Sequence, residues 1–369
     1  MLDSQKTTSV SDATKIPYLS VVLPAYNDAD ALALFLPEVI DFCHALSKDC
    51  EVIVVDDGST DDIQSLIVRY ITACKEANYS INIELIKLSR NFGKEPALSA
   101  GLAHSSGELV VMMDSDGQHP LAVLTQMLEM IHKQTDIDMI AAIQSNRPNE
   151  SKLAKTLKAG FYHFIQDSRR YQLRPNAGDF RLMNRKVVNA LLSLPERQRF
   201  MKGLYAWVGF NTVYLPFTAA LRNTGSSKFN YSGLFELALI GITSFSQKPL
   251  RWISRMGMLV SLFAICYGLF IVLEKLLLGN SVDGWATVAA GIMFSAGIQL
   301  ICLGVIGEYI GRLYEEVKQR PLYLVDSHIT SNNLDSTKHY ENIDEKKPNN
   351  KNLNITAELT NPKDLENTK

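Results

Sequence analysis

Short, wholly apolar runs alternate with longer stretches whose apolar residues recur every three or four positions through the first 145 residues of the chain. Tyr18-Leu-Ser-Val-Val-Leu-Pro24 predicts a strand, Ala25-Tyr-Asn-Asp28 a turn, and Ala29–Leu46 a helix. Glu51 to Asp61 repeats the plan: Val52–Val55 reads as a strand with acids at its end, and Ser59, Thr60 or Asp61 is expected to cap a helix over Ile63–Ala77. A third strand over Ile81–Leu88 turns through Ser89-Arg-Asn-Phe-Gly-Lys94 into a helix ending near Ala103. Leu109–Met113 is the fourth strand, Pro120 opens a helix, and Met139–Ile143 is the fifth strand. Such regular alternation predicts an α/β fold with a mostly parallel sheet, and the polar residues after each strand gather at one edge.

The pattern then changes. Pro148–Tyr171 reads as a basic helical segment carrying Lys152, Lys155 and Lys158. Asn176–Arg185 follows, then a helix from Lys186, then Arg197-Gln-Arg-Phe-Met-Lys-Gly203. Arg222–Lys228 reads as a flexible polar loop, and Tyr231–Phe245 as an amphipathic helix able to lie on a membrane surface. Met256–Leu273 and Trp285–Ile306 are uncharged and long enough to cross a bilayer, which predicts a transmembrane hairpin. Arg251 and Arg255 precede it, Arg312, Lys318 and Arg320 follow it, and only Lys275 lies near the connection, which places both ends in the cytoplasm. Beyond Asp326 the composition is that of a disordered tail. The expected layout is a disordered N-terminus (1–16), a cytoplasmic catalytic domain (17–230), a juxtamembrane amphipathic segment (231–255), a hairpin (256–307, with spans 256–276 and 285–307), a cytoplasmic arm (308–326) and a tail (327–369).

A length of 369 residues allows a sizeable core, and a formal charge of -2 gives no general attraction to nucleic acid, so none is expected as a partner. Cys43, Cys50, Cys74, Cys266 and Cys302 are odd in number and form no C-x-x-C pair, which argues for a reducing compartment. Met1–Lys15 has no apolar core, so no secretory signal is expected there.

The chemistry concentrates after the fourth strand, in Asp114-Ser-Asp-Gly-Gln118. Asp114 and Asp116 stand at the carboxyl end of a buried strand, the edge where open α/β sheets bind ligands. With Ser115 turned away, both acids can face one point, and two hard oxygen donors suit Mg2+ or Mn2+ with positions open for substrate phosphates. Asp28, Asp56 and Asp57 end the first two strands on the same edge, a pattern that suits a nucleoside diphosphate, with Asp56 able to bond a base or ribose. There is no G-x-G-x-x-G, P-loop or H-E-x-x-H, and His104, His119, His132 and His163 are scattered. A nucleotide site joined to a membrane hairpin fits an enzyme that moves a group from a soluble nucleotide to a lipid.

Val-Val-Leu-Pro-Ala-Tyr-Asn-Asp28, Val-Val-Asp-Asp-Gly-Ser-Thr-Asp61, Ser-Arg-Asn-Phe-Gly-Lys-Glu95 and Asp-Ser-Asp-Gly-Gln-His-Pro120, in that order, resemble family 2 glycosyltransferases of the GT-A fold. Gly178-Asp-Phe-Arg-Leu-Met183, Arg197–Gly203 and Gly307-Glu-Tyr-Ile-Gly-Arg-Leu-Tyr-Glu-Glu-Val-Lys-Gln-Arg-Pro321 narrow the likeness to bacterial polyprenyl-phosphate glycosyltransferases, relatives of dolichol-phosphate mannose synthase. The two-helix form is most similar to bactoprenol glucosyltransferases. The resemblance covers about Leu19 to Val325 and implies inverting transfer of a hexose, glucose first, from a UDP-sugar to undecaprenyl phosphate in the bacterial inner membrane. It assigns Pro24, Tyr26, Asp28 and Asp56 to the nucleotide, and Asp114, Asp116 and Gln118 to the metal and diphosphate. Asp28 stands where the family usually has Glu, and Gly117 where many relatives have Leu.

The resemblance nominates Asp179 as base, or as a group that orients the acceptor or the sugar. Arg147, Lys155, Arg199, Lys202 and Lys228 are the cations available for the acceptor phosphate, Arg199 and Lys228 foremost. Other donor sugars, such as an N-acetylhexosamine, mannose or an amino-arabinose derivative, fit the same motifs. A processive synthase would carry Gln-x-x-Arg-Trp and more membrane helices, whereas Arg197-Gln-Arg-Phe stands here. A non-catalytic, membrane-anchored sugar-nucleotide-binding protein is the other alternative, and loss of an acid in Asp-x-Asp would favour it. Gly304, Gly307 and Gly311 on the second span motivate an expected homo-oligomer, a dimer or a tetramer.

Overall fold

The structure, a computed structural model, describes residues 16–145, 174, 177–197, 199–218, 248–278, 284–331 and 333–334. The basic segment 148–171, the loop 222–228, the amphipathic stretch 231–245 and the site candidates Arg147, Lys155 and Lys228 lie outside the described residues.

The predicted alternation is observed: β1 (Leu19–Ala25), α1 (Ala29–Ala45), β2 (Cys50–Asp56), α2 (Ile63–Glu76), β3 (Ile81–Leu88), α3 (Lys94–His104), β4 (Leu109–Met112), α4 (Leu121–Lys133) and β5 (Met139–Gln144). Then come β6 (Ala177–Asn184), α5 (Arg185–Ser193), α6 (Met201–Trp207), β7 (Thr212–Phe217), α7 (Lys248–Leu278), α8 (Trp285–Lys318) and β8 (Val325–Thr330). They build one eight-stranded sheet in the order β7-β5-β6-β4-β1-β2-β3-β8. β1, β2, β3 and β4 run parallel, as β5 does to β7. β6 runs antiparallel to both β4 and β5, and β8 antiparallel to β3.

β1, β2 and β4 are buried along almost their whole length, as apolar strands covered on both faces should be. One core joins Val22 of β1, Leu98 and Leu102 of α3, Met112 of β4, Met139 of β5, Met183 of β6, Leu191 of α5 and Tyr205 of α6. At the amino ends of the strands the buried carboxylate of Glu51 accepts from the Ser20 hydroxyl, the Ser106 N–H and hydroxyl, and the Gly107 N–H. Several donors on one buried acid satisfy its charge and tie β1 and β2 to the turn entering β4.

Two expectations are corrected. The cap of α2 is not Ser59, Thr60 or Asp61: Asp62 stands at the N-cap with no side-chain cap bond. Ser59 and Asp61 instead accept the N–H groups of Asn27 and Ala29, at 2.9 Å each, which ties the β1 turn to the β2 turn. The tail does not begin at 327, because β8 continues through Thr330 along the edge of β3. The mostly parallel sheet is as expected, with β6 and β8 as its antiparallel members.

α7 and α8 are long apolar rods, and stretches of each, Trp252–Phe270 and Gly291–Lys318, are apolar enough to span a bilayer. Phe263 is 72% and Phe294 70% exposed, so these faces are not covered by the other described residues. Apolar area of that extent calls for lipid or another apolar surface.

Candidate active site

β1 is flanked by β2 on one side and β4 on the other, and the chain reverses its direction of travel across the sheet between these neighbours. Such a switch point opens a crevice at the carboxyl ends of the strands. Val22 pairs with Met112, so Asp28 and Asp114 emerge from adjacent strands into that crevice. The Ser115 hydroxyl spans it, donating to Asp28 Oδ2 at 3.4 Å. Gly117 adopts φ +73°, which lets the chain turn back so that the Gln118 N–H reaches Asp116 Oδ1 at 3.1 Å.

Asp179 arrives from the opposite direction. Antiparallel pairing sets Arg181 opposite Met112, and the same register continued by two residues brings Asp179 level with Asp114. Lys94, the first residue of α3, stands between the two acids, with Nζ 2.6 Å from Asp114 Oδ1 and 3.2 Å from Asp179 Oδ2. The other oxygen, Asp179 Oδ1, is buried with no hydrogen-bond partner among the described residues. Burial alone would lower the Lys94 pKa, but the carboxylates of Asp179 and Asp114 outweigh it and raise the pKa. Burial likewise opposes ionisation of Asp114, and Lys94 with His119 overcomes it, so its pKa falls below the usual carboxylate value. Lys94 is charged and Asp114 ionised at neutral pH.

His119 closes the other side of the crevice. Its ring stacks on Phe180, with centroids 4.6 Å apart, and Nδ1 accepts the Asp114 N–H at 2.9 Å. Burial lowers its pKa, so the ring stays neutral, and the accepting Nδ1 leaves the proton on Nε2. Beneath Lys94, the half-buried Glu95 accepts the Met201 N–H at 3.0 Å and fixes the start of α6. Its pKa is pushed up to about 8 by burial and by Asp179. The turn that launches α3 is held by Asp57, which accepts the N–H groups of Phe92 and Gly93 at 2.7 and 2.8 Å.

The remaining sequence candidates fall in two groups. Pro24, Tyr26, Asp28 and Asp56 lie on or just beyond the ends of β1 and β2 at the crevice, as expected. Asp56 is 1% exposed and takes the Ser59 N–H at 2.8 Å, so it also shapes the turn. Lys202 sits in the first turn of α6, where its charge opposes the rise in the Glu95 pKa and adds to the fall in that of Asp114. Arg199 is buried and donates to the Leu194 carbonyl at 2.9 Å and to the Ser99 hydroxyl at 3.3 Å. These bonds brace the loop before α6 against α3, and the carboxylates of Glu196 and Glu95 act on its charge. Lys94, Glu95 and Asp57 carry roles that motif reading left unassigned. The signal for Lys94 was a Gly-Lys pair at a strand-to-helix turn on the same edge as the acids.

Asp114 and Asp116 offer hard oxygens, and Asp179 Oδ1 offers a buried acceptor without a donor, a set that fits a divalent ion. Among the described residues no group of three or more Asp, Glu, His or Cys side chains forms a cage by itself. An ion here would complete its shell with water or with phosphate oxygens of a substrate, which is how Mg2+ is commonly held.

Residues 20–192 match the family described as Glycosyl transferase family 2, and residues 248–313 match the GtrB C-terminal hairpin. An uncharacterized glycosyltransferase of Synechocystis is 42% identical over 307 residues, which cover 83% of this chain and 94% of that one. The chain belongs to glycosyl transferase family 2. It is a glycosyltransferase with a GT-A-like α/β domain, and its apolar C-terminal helices associate it with a membrane. A prophage-derived bactoprenol glucosyl transferase of Shigella flexneri is 38% identical over 83% of this glycosyltransferase and 97% of its own length. A prophage bactoprenol glucosyl transferase homolog of Escherichia coli is 38% identical over 83% and 98%. Of solved structures, a Pyrobaculum calidifontis mannosyltransferase in complex with GDP-Man and Mn2+ is similar over 82% of this chain and 88% of that one. Identity is 17% and the TM-score 0.43, a level too low to carry ligand chemistry from one to the other.

Proposed function

We propose that this glycosyltransferase transfers glucose from a UDP-sugar to undecaprenyl phosphate at the cytoplasmic face of the bacterial inner membrane, with inversion at the anomeric carbon. The observation that carries the reading is the span of the similarity to bactoprenol glucosyl transferases, which runs through the catalytic domain and the hairpin together. A soluble-acceptor enzyme needs no hairpin, and a lipid anchor alone needs no strand-end acids.

The donor lies in the β1/β4 crevice, with Pro24, Tyr26, Asp28 and Asp56 toward the nucleotide. Asp114 and Asp116, with Gln118 beside them and the second oxygen of Asp179 nearby, would hold Mg2+ or Mn2+, and the ion would supply charge neutralisation for the departing diphosphate. The acceptor is a phosphate monoester with a second pKa of about 6, so at pH 7 it is largely dianionic and needs no strong base. Asp179, already paired with Lys94, therefore orients groups in the site rather than taking a proton. Lys202 is the described cation closest in role to an acceptor-phosphate contact, and Arg147, Lys155 and Lys228 are its partners in the proposal. Attack by one phosphate oxygen on the face opposite the leaving group inverts the sugar without a covalent enzyme intermediate. Basic residues outside both helix ends support placing both termini in the cytoplasm.

The test incubates membranes containing the full chain with undecaprenyl phosphate and a panel of labelled nucleotide sugars, and scores the label extracted with lipid. UDP-glucose is expected to label lipid best, and Asp116→Ala to abolish the signal. Lipid labelling from no donor overturns the proposal, and labelling from another donor alone corrects the sugar.

A further inference from the structure

Lys94 does more in the crevice than pair with one acid. Its ammonium reaches Asp114 and Asp179 together, and these carboxylates come from strands that face each other in register. Left without a cation, like charges so placed repel. The position of Lys94 is fixed from behind: Asp57 clasps the N–H groups of Phe92 and Gly93, and Gly93 takes φ +102°, which aims the start of α3 at the acids. The side chain itself is 45% exposed, so the ammonium can leave by rotating its four-carbon stem without unfolding anything. Asp179 is 10% exposed and its Oδ1 has no donor, so the cluster holds one acceptor more than the ammonium satisfies. An ion of higher coordination number would satisfy it.

We propose that Lys94 is a built-in counter-ion that competes with the divalent ion for Asp114 and Asp179, so that metal settles in the site together with the donor's diphosphate. This rests on the metal-dependent reading above and deepens it. Metal entering alone must displace an ammonium from two carboxylates and leave that ammonium without a partner. Metal entering with a diphosphate brings the anion that the displaced ammonium then neutralises. Coupling of this kind is reciprocal: donor tightens metal by the factor by which metal tightens donor. The donor-free enzyme consequently keeps its acids compensated, and Lys94 becomes a diphosphate contact in the loaded state.

Binding of Mn2+ to the detergent-solubilised full chain, followed by the electron paramagnetic resonance signal of the free ion with and without UDP, tests the proposal apart from catalysis. In Lys94→Met, Mn2+ alone is expected to bind on the order of tenfold more tightly than in the parent, and the enhancement by UDP to shrink by a similar factor. Lys94→Arg retains a cation and is expected to stay within about twofold of the parent for Mn2+ alone, against the tenfold scale of such couplings. Equal or weaker Mn2+ binding by Lys94→Met overturns the competition. Absence of Mn2+ binding in every protein, with UDP present, overturns the metal-dependent reading as well, so the two failures are told apart.

Discussion

The backbone N–H of Arg197 points at the carboxylate of Glu316, 2.9 Å from one oxygen and 3.1 Å from the other. Glu316 lies near the end of α8, the second apolar helix, and Arg197 lies in the loop that leads to Lys202. Farther along, Met201 is bonded to Glu95 beside Lys94, so contacts run from the membrane helix to the acid cluster. A charge-assisted bond of this kind contributes about 1.5–3 kcal/mol. In the proposed reaction Glu316→Ala is expected to raise KM for the polyprenyl phosphate by about tenfold, the equivalent of ~1.4 kcal/mol. Donor KM should change less, because Arg197 and Glu316 themselves lie outside the β1/β4 crevice. Glu316→Gln keeps an acceptor oxygen and should recover part of the loss. Equal changes in both KM values would contradict a role specific to the acceptor loop.

Glu95 makes stability depend on pH. Its pKa is about 8 in the folded chain, raised by burial and by Asp179, against about 4.3 for an unperturbed Glu. Between those values the folded state holds a proton that the unfolded state has released. Stability is therefore greatest below the lower value and is lost as pH rises through the higher one, by at most about 1.4 kcal/mol per pH unit for one proton. Glu95→Gln cannot ionise and still offers an oxygen to Met201. Its melting temperature should fall less than the parent's between pH 6 and pH 8.5, and parallel profiles would show that Glu95 is not the titrating group.

The legible and illegible parts of the chain divide by the range of the interactions that form them. Val52–Val55 and Leu109–Met113 were readable as strands because continuous apolar runs ending in acids are a local pattern, and Gly117 and Pro120 punctuate the chain where it turns. Asp179 was readable only through family likeness, because its place beside Asp114 depends on β6 inserting antiparallel between β4 and β5. Ala-Gly-Asp-Phe-Arg-Leu-Met-Asn184 lacks clean alternation, so nothing local announces that strand. β7 contains Pro216, which the sheet tolerates because β7 is an edge strand. β8, Val-Asp-Ser-His-Ile-Thr, has a tail's composition and still pairs with β3, as polar edge strands do. Arg199 was readable as a cation by residue type, but its bonds to the Leu194 carbonyl and the Ser99 hydroxyl depend on how the loop before α6 packs on α3.

His119 supplies a third prediction, on the acid side. Burial lowers its pKa, so the folded chain keeps it neutral and Nδ1 free to accept from Asp114. The stability this contributes is present above the unfolded value of about 6.5 and is lost as pH falls from there through the lowered folded value. His119→Phe preserves the stacking on Phe180 but leaves the Asp114 N–H without an acceptor, at a cost of about 1–3 kcal/mol. Denaturant titrations should show the variant weaker than the parent at pH 7.5, with the gap narrowing by pH 5.5. A gap that widened instead would mean the ring is already charged in the folded state.

Gly101 controls how closely α3 approaches the sheet, and through it where Lys94 stands. A Cβ on Gly101 would collide with Val22 Cγ1 and come within 3.2 Å of Val55 Cγ2, both fully buried. Neither valine can turn aside without moving a neighbour, because β-branched side chains have few alternative rotamers and interiors are close-packed. Gly101→Ala gains helix propensity of about 1 kcal/mol but overpacks this contact at about 1–3 kcal/mol, so the net effect is destabilising or near neutral by stability alone. The sharper expectation concerns the site. α3 is pushed outward from β1 and β2, which draws Lys94 away from Asp114 and Asp179 and weakens the competition with metal. Mn2+ binding without nucleotide should then tighten in Gly101→Ala, in the same direction as in Lys94→Met though by less, while the unfolding midpoint drops. Val22→Ala on top of Gly101→Ala clears the collision and should return Mn2+ affinity toward the parent value. If the double variant keeps the tightened binding, the spacing of α3 does not set the position of Lys94.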